Sequence, residues 1–483
     1  MLFLSILLPM LGAAGLWLWK PQNSRARHIY VMAFTLLTSL LAAWCILTPG
    51  NHHMTLLQLT PRLTISFKLD GLGRVFSGMV AFLWPLATLY AFEYMAHEGG
   101  ENTFFGFYMA SYGVTLAIAF AEDLMTLYVF YELLTLATLF LVMHGMKPHG
   151  VHAGRKYVYY MLGGAAMGFM ALATIIHFSG TSNFISGGIP ALKLAPTSLV
   201  LTMFVMGFLG FGAKAAVFPL HSWLPTAGVA PTPVTALLHA VAVVKAGVFA
   251  VIRMAYFCFG AEQVRGTWAQ NVCLVLCMIS VVYGSSMAVR ETHMKRRLAY
   301  STMSNLSYVL LGAMLLTPQG LKGGLMHMVY HALMKITLFS CVGAVMVKTG
   351  RSYVQEIRGM GKRMPFIMGV FLFAGAALVG IPPLVGFQSK WTLAEAALSA
   401  GPLGIAAVCV LLISAILTAI YLLVPAFSAF FLPLDETGLE DRSYDPTWQM
   451  KVPLGILCVL MAILVFASKP LTTLLGQVAG GLL

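Results

Sequence analysis

Four lysines, Lys214, Lys245, Lys335 and Lys390, and one carboxylate, Glu132, stand inside otherwise apolar stretches of the chain. A charge at the centre of a bilayer costs on the order of 3 kcal/mol or more, so such residues face a bundle interior or a water-filled cavity and mark ion or proton routes. A single one could be half of a static ion pair that fixes packing. Four lysines with one acid between them cannot all be paired that way, and burial disfavours the charged form of a lysine. A lysine poised between its two forms can take up and release a proton. Histidines extend the line. The run HMVYHALMK places His327, His331 and Lys335 at i, i+4 and i+8, on one helix face that climbs about 6 Å per step. Histidine titrates near neutral pH and relays a proton through its two nitrogens. Two histidines one turn apart also suit zinc, but zinc needs further ligands and this helix carries no Asp or Glu, so no metal is expected. His239 and Lys245 are six residues apart and share a face poorly on a continuous helix, yet both can border one polar channel. His177 and His221 lie near span ends and are read as interfacial.

The elements that must hold these residues follow from composition. Of 483 residues, 59% are hydrophobic and only 9% are charged. Soluble domains carry about 25% charged residues, so this chain belongs in a bilayer. Spans of roughly 20 apolar residues recur about fourteen times, at 2–19, 28–47, 73–95, 105–121, 123–143, 157–178, 198–218, 232–256, 270–289, 299–316, 323–347, 365–395, 404–431 and 451–468. The expected fold is an all-α polytopic membrane protein. Two spans are interrupted. The seventh, GFGAKAAVFPLHSWLPT, sets Lys214 just ahead of Pro219 and Pro225. The twelfth, GIPPLVGFQSKWTLAE, sets Lys390 just after Pro382, Pro383 and Gly386. Proline removes a backbone donor and clashes with the preceding turn. The groups it frees must be satisfied by protein or water. Interrupted spans at corresponding positions of two halves point to a transporter's ion path. This predicts two inverted five-helix repeats, spans 4–8 and 9–13. The chain then divides into 1–104 (helices 1–3), 105–256 (first repeat), 257–431 (second repeat) and 432–483 (an acidic loop and helix 14).

The net charge of +13 reads as loop asymmetry, not as a nucleic-acid surface. Lysine and arginine collect on the cytoplasmic side. The loops after odd-numbered spans hold most of them, Lys147, Arg155, Arg290, Lys295, Arg296 and Arg351 included. The opposite loops hold fewer, Arg62, Lys68 and Arg253 among them. Both termini should therefore face away from the cytoplasm. The first span has no basic residue ahead of it and is expected to be retained. Cys273 and Cys277 lie one turn apart without other ligands and read as packing. Gly163-Gly164 and Gly323-Gly324 read as helix-packing sites. Asp435, Glu436, Glu440, Asp441 and Asp445 read as a solvated surface. No cysteine cluster, P-loop or dinucleotide fingerprint appears, so no cofactor is expected in this chain.

Several segments together resemble the antiporter-like membrane subunits shared by respiratory complex I, Mrp-type cation/proton antiporters and membrane-bound energy-converting hydrogenases. They are YVFYELLTLATLFLV around Glu132, AKAAVFPLHSWLPTAGVAPTPVTALLHAVAVVKAGVFAVIR at 213–253, KRRLAYSTMSNLSYVLLG at 295–312, MHMVYHALMKITLFSCVGAV at 326–345 and GIPPLVGFQSK at 380–390. The resemblance implies that Glu132 and Lys214 form an intramembrane pair and that His239 is the histidine of the eighth helix. It also implies that Lys335, with His327 and His331, is a central relay and that Lys390 is the terminal ionisable residue. A neighbouring subunit would perturb Glu132–Lys214, and a proton would pass along His239, Lys245, His331 and Lys335 to Lys390. Two departures are informative. His293 stands where the family often has an acid, and Lys245 is closer to Mrp and hydrogenase members than to typical complex I subunits. No long lateral helix is expected after the fourteenth span. The implied function is proton translocation within a redox-driven complex, with a stand-alone Mrp-type sodium/proton antiporter subunit and a non-transporting scaffold as alternatives. The implied partners are other antiporter-like and small helical membrane subunits, a redox module and the lipid bilayer, in a prokaryotic cytoplasmic membrane.

Overall fold

The computed structural model describes residues 1–48, 50, 53–60, 63–434 and 442–482. Arg62 and the acidic residues Asp435, Glu436, Glu440 and Asp441 lie outside them. The first third holds α1 (Leu2–Trp19), α2 (Ser24–Leu47), α3 (Gly71–Glu98), α4 (Glu101–Phe120), α5 (Leu124–Val142) and α6 (Pro148–Ser179). Next come α7 (Thr197–Gly212), α8 (Trp223–Thr226), α9 (Thr232–Ala240), α10 (Val243–Arg253), α11 (Ala261–Val264) and α12 (Trp268–Arg290). The remainder is α13 (Met294–Met314), α14 (Pro318–Thr349), α15 (Pro365–Val379), α16 (Val385–Leu398), α17 (Gly401–Phe431), α18 (Trp448–Phe466) and α19 (Lys469–Gly480). Among the described residues, eleven helical stretches, with 232–259 taken as one, are long and apolar enough to cross a membrane. One departure from the all-α expectation is a β-hairpin, β1 (His53–Thr60) paired antiparallel with β2 (Leu63–Lys68).

Local chemistry sets the helix starts. The Asp70 side chain accepts the Gly73 N–H at the head of α3 at 2.8 Å, and Asp123 does the same for Thr126 at the head of α5, each satisfying an orphan donor. Proline opens α6, α14, α15 and α17, where its missing N–H costs nothing. Helices differ sharply in burial. The 232–259 stretch is wholly enclosed and α14 nearly so, whereas α1, α2, α17 and α18 expose most of their surface. The enclosed helix α14 packs against α9, α13, α15 and α16 and forms the axis of the bundle.

Both expected breaks are present. Helix α7 ends at Gly212, and 213–222 run through irregular turns before α8. The freed Ala213 carbonyl accepts the Trp223 indole N–H at 2.9 Å, and the Phe218 N–H reaches Ser280 at 2.9 Å. Pro219 falls in this region and Pro225 in α8. The twelfth span divides into α15 and α16, with Gly380 at φ +90 and Pro382 and Pro383 between them. A side chain at Gly386 would sit 1.9 Å from the Ala377 carbonyl, so the half-helices meet only because that position is glycine.

The eighth span is also broken, which its sequence gives no reason to expect. Helix α9 stops at Ala240, Val241 and Ala242 leave helical geometry, and α10 starts at Val243. Neither proline nor glycine stands at the break. The other half of that junction is a close approach. A Cβ at Gly247 would lie 2.6 Å from the Ala215 nitrogen and 2.9 Å from the Lys214 Cβ, so α10 lies directly on the break of the seventh span.

Three smaller expectations change. Arg253 is not a loop residue. It is 1% exposed, forms two hydrogen bonds to Asp70 and is enclosed by the rings of Phe184, Phe249 and Phe257. Burial by itself would raise the Asp70 carboxyl, but the guanidinium and the Gly73 N–H hold it below its ordinary value. His221 is buried between Phe218 and Tyr283, while His177 is exposed. Gly164, Gly323 and Gly324 sit at close helix contacts, but Gly163 faces open space. Cys273 and Cys277 are free and buried.

Candidate functional site

The first group is built on α5 and the seventh-span break. Glu132 lies on α5 beside the exposed Leu133 and Leu136, so its carboxylate sits at the edge of an outward-facing stripe, with a quarter of its side chain exposed. Lys214 hangs from the break, fully buried, with Nζ 3.8 Å from Glu132 Oε1. The same ammonium donates to the Tyr131 carbonyl and stands 3.2 Å from the centre of the Tyr131 ring. An ammonium over an aromatic face is attracted by the ring quadrupole. Lys214 is thus held by a carbonyl and a ring, with the carboxylate one step further out.

The second group sits on α9, α10 and α14. Lys245 Nζ is 2.8 Å from His331 Nδ1 and 3.5 Å from the His239 carbonyl. That carbonyl is free because α9 ends there. The break is therefore what lets Lys245 and His239, six residues apart, enter one cluster. His239 is fully buried and neither of its ring nitrogens has a hydrogen-bond partner. Its ring lies 4.8 Å from that of Phe339, and Lys335 Nζ stands 5.8 Å from the same ring. Lys335 donates to the Leu298 carbonyl at 3.0 Å. His331 and His327 are stacked at 5.9 Å, as their four-residue spacing requires.

The third group leads to the broken twelfth span. His327 is held at both nitrogens, Nδ1 by Ser389 Oγ at 2.9 Å and Nε2 by Asn305 Oδ1 at 3.1 Å. Tyr308 faces both the His327 ring, at 5.2 Å, and Lys390 Nζ, at 5.3 Å. Lys390 donates to the Leu378 and Val379 carbonyls at 2.8 and 3.0 Å. These are the last carbonyls of α15, left without helical partners by the break, at the negative end of the helix dipole. Lys390 also borders a cavity of about 420 Å³ lined by Phe387, Trp391 and Leu412.

Sequence reasoning named the charged members of these groups and missed the neutral ones. Asn305 and Ser389 fix the His327 ring. Asn305 is itself tied to the Ser301 carbonyl at 2.7 Å, and the Ser301 hydroxyl meets Tyr421 at 2.6 Å. The polar run STMSNLSY inside the tenth span was the available signal. Among the described residues no hydrogen bond joins the Glu132–Lys214 pair to the His239–Lys245 cluster, and no group of His, Cys, Asp and Glu is arranged to hold a metal. The site is a set of buried bases with one carboxylate at its edge. Such a set can hold and pass protons.

Comparison with known proteins gives two family matches. The family described as NADH:quinone oxidoreductase/Mrp antiporter, TM, matches residues 121–418, and that described as NADH-ubiquinone oxidoreductase (complex I), chain 5 N-terminus, matches 59–105. The chain is 31% identical to NADH-quinone oxidoreductase subunit N of Desulforudis audaxviator over 412 residues, covering 83% of this chain and 80% of that one. It is 31% identical to hydrogenase-4 component B of Escherichia coli over 341 residues, covering 68% of this chain and half of that one. A chain of respiratory complex I from Thermus thermophilus superposes over the full length of both with a TM-score of 0.82 at 26% identity.

Proposed function

The chain belongs to the family of NADH:quinone oxidoreductase and Mrp antiporter membrane subunits, and from that premise we propose that it is a proton-translocating subunit of a redox-driven multisubunit membrane complex. The observation that carries the proposal is the 2.8 Å contact between Lys245 and His331. It joins two buried bases from different helices at the centre of a line that starts at one broken span and ends at another. On this reading a neighbouring subunit biases the Glu132–Lys214 pair. An opposite charge within about 4–6 Å changes a group's proton affinity, and 3.8 Å is well inside that range. Lys214 then yields its proton across intervening water to the His239, Lys245, His331 and Lys335 cluster. The contacts of His327 with Ser389 and Tyr308 favour His327 as the step next to Lys390, with Lys335 on the other side of the cluster. The reading includes fourteen spans, two inverted repeats, both termini on the non-cytoplasmic face, redox chemistry in other subunits, and partners that are antiporter-like and small helical membrane proteins.

A second reading is a subunit of a stand-alone Mrp-type sodium/proton antiporter. Lys245, closer to Mrp and hydrogenase members, favours it over a typical complex I subunit. The test common to both is Glu132→Gln and Lys214→Ala. Each should slow proton or cation transport at least about tenfold, equivalent to about 1.4 kcal/mol on the barrier, with the amount of assembled complex little changed. Loss of assembled complex with normal transport per surviving complex would make the chain a scaffold.

A further inference from the structure

A cavity of about 430 Å³ opens on the face that carries the basic loops, between the ends of α5 and α6, the segment 228–231 and the start of α13. Its lining includes Glu98, His144, Lys147, His293, Lys295 and Arg296. Two of its cations are spoken for. Lys147 lies 3.4 Å from Glu98, and Arg296 lies 3.3 Å from Glu291. Lys295 differs. It is 4% exposed and donates to the Ala230 carbonyl at 2.8 Å, with no carboxylate within ion-pair distance among the described residues, Glu98 acting on it only from further off. His293 beside it has a buried Nδ1 without a partner.

Lys295 also lies next to the central cluster. Leu298 is three residues on, about 4.5 Å deeper along α13, and its carbonyl receives Lys335 Nζ at 3.0 Å. Lys295 therefore lies one turn of α13 from the residue whose carbonyl holds Lys335. Ala230, which holds Lys295, is also two residues ahead of α9, the helix that carries His239.

We infer that Lys295 is the residue through which protons pass from this vestibule into the central cluster, with Lys335 as the first acceptor. This rests on the translocation reading above. A neutral Lys295 amine takes a proton from vestibule water. The ammonium so formed gives a proton, through intervening water, to the neutral amine of Lys335, and Lys295 returns to its starting form. One proton enters the cluster and nothing else changes. The Ala230 carbonyl keeps the amine at the cavity floor throughout.

The competing role for Lys295 is a tether between the 228–231 segment and α13. Lys295→Arg separates the two, because arginine keeps the charge and the hydrogen bond but effectively never deprotonates. In the assembled complex in sealed vesicles, Lys295→Arg should assemble at the unaltered level and take up protons about tenfold more slowly. Lys295→Cys should be as slow, and should regain uptake when an aminoethyl thiosulfonate, applied from the basic-loop face with free cysteine on the other side to scavenge reagent that crosses as the neutral amine, restores an ammonium at that position. Unaltered uptake by Lys295→Arg would overturn the inference. If that variant fails to assemble, the cysteine arm decides, and modification without recovery would overturn it equally. Glu132→Gln run in parallel separates the two claims. A blocked Glu132→Gln with a normal Lys295→Arg removes only the intake route, whereas normal transport in Glu132→Gln removes the translocation reading itself.

Discussion

At the scale of single residues, charge in an apolar run was legible and neutrality was not. Lys214, Lys245, Lys335, Lys390 and Glu132 declare themselves because a charge in hydrocarbon has no inexpensive explanation. Asn305 and Ser389 do not, because a hydroxyl or amide in a helix can bond to its own preceding turn, as Thr302 and Ser307 do here at 2.9 and 3.0 Å. Asn305 and Ser389 do both, bonding the Ser301 and Gly386 carbonyls of their own helices as well as His327, and nothing in the sequence shows which polar residues also reach across. The proposed proton-carrying role of the lysines makes a sharp prediction at this scale. Lys335→Arg should assemble yet lose transport by about tenfold or more, since it keeps a charge that cannot be released. His331→Ala should fail to a similar degree by removing the partner of Lys245. Pumping at the unaltered rate by Lys335→Arg would show that a fixed positive charge suffices there.

At the scale of elements, the two proline-bearing breaks could be read from the sequence because proline cannot continue a helix hydrogen-bond ladder. The break at Val241–Ala242 could not, because tertiary contacts impose it on residues with no local reason to bend. The β-hairpin escaped for a different reason. Its strands, of eight and six residues, are shorter than the window that detects a span. The contact between α10 and the seventh-span break rests on a missing side chain at Gly247. Gly247→Val should push α10 off Lys214 and destabilise the chain by about 1–3 kcal/mol, the usual cost of overpacking. The measurement is thermal unfolding in detergent together with the yield of assembled complex. Gly163→Ala is the control, because no atom lies near the position of its added carbon, and it should change neither.

At the scale of the whole molecule, the enclosed α14 and the 232–259 stretch put His239, Lys245, His327, His331 and Lys335 on an inner axis, while Glu132 lies at the outer edge. On the proposed reading energy reaches the axis from a neighbouring subunit, and the edge is where it would be applied. The chain reconstituted alone in liposomes should therefore show little energised transport, and co-reconstitution with its complex should restore it. Robust uncoupler-sensitive exchange by the purified chain would make it self-sufficient. The central cluster adds a constraint on how such a machine counts. It gathers His239, Lys245, His327, His331 and Lys335 with no carboxylate bonded to any of them among the described residues. Two like charges about 4 Å apart repel by about 4 kcal/mol at an effective dielectric of about 20. A second proton must wait until the first has left. The cluster then behaves as a turnstile with a single seat, and the number of ions moved per turnover of a larger assembly is set by how many such seats it contains, not by how hard any one of them is driven.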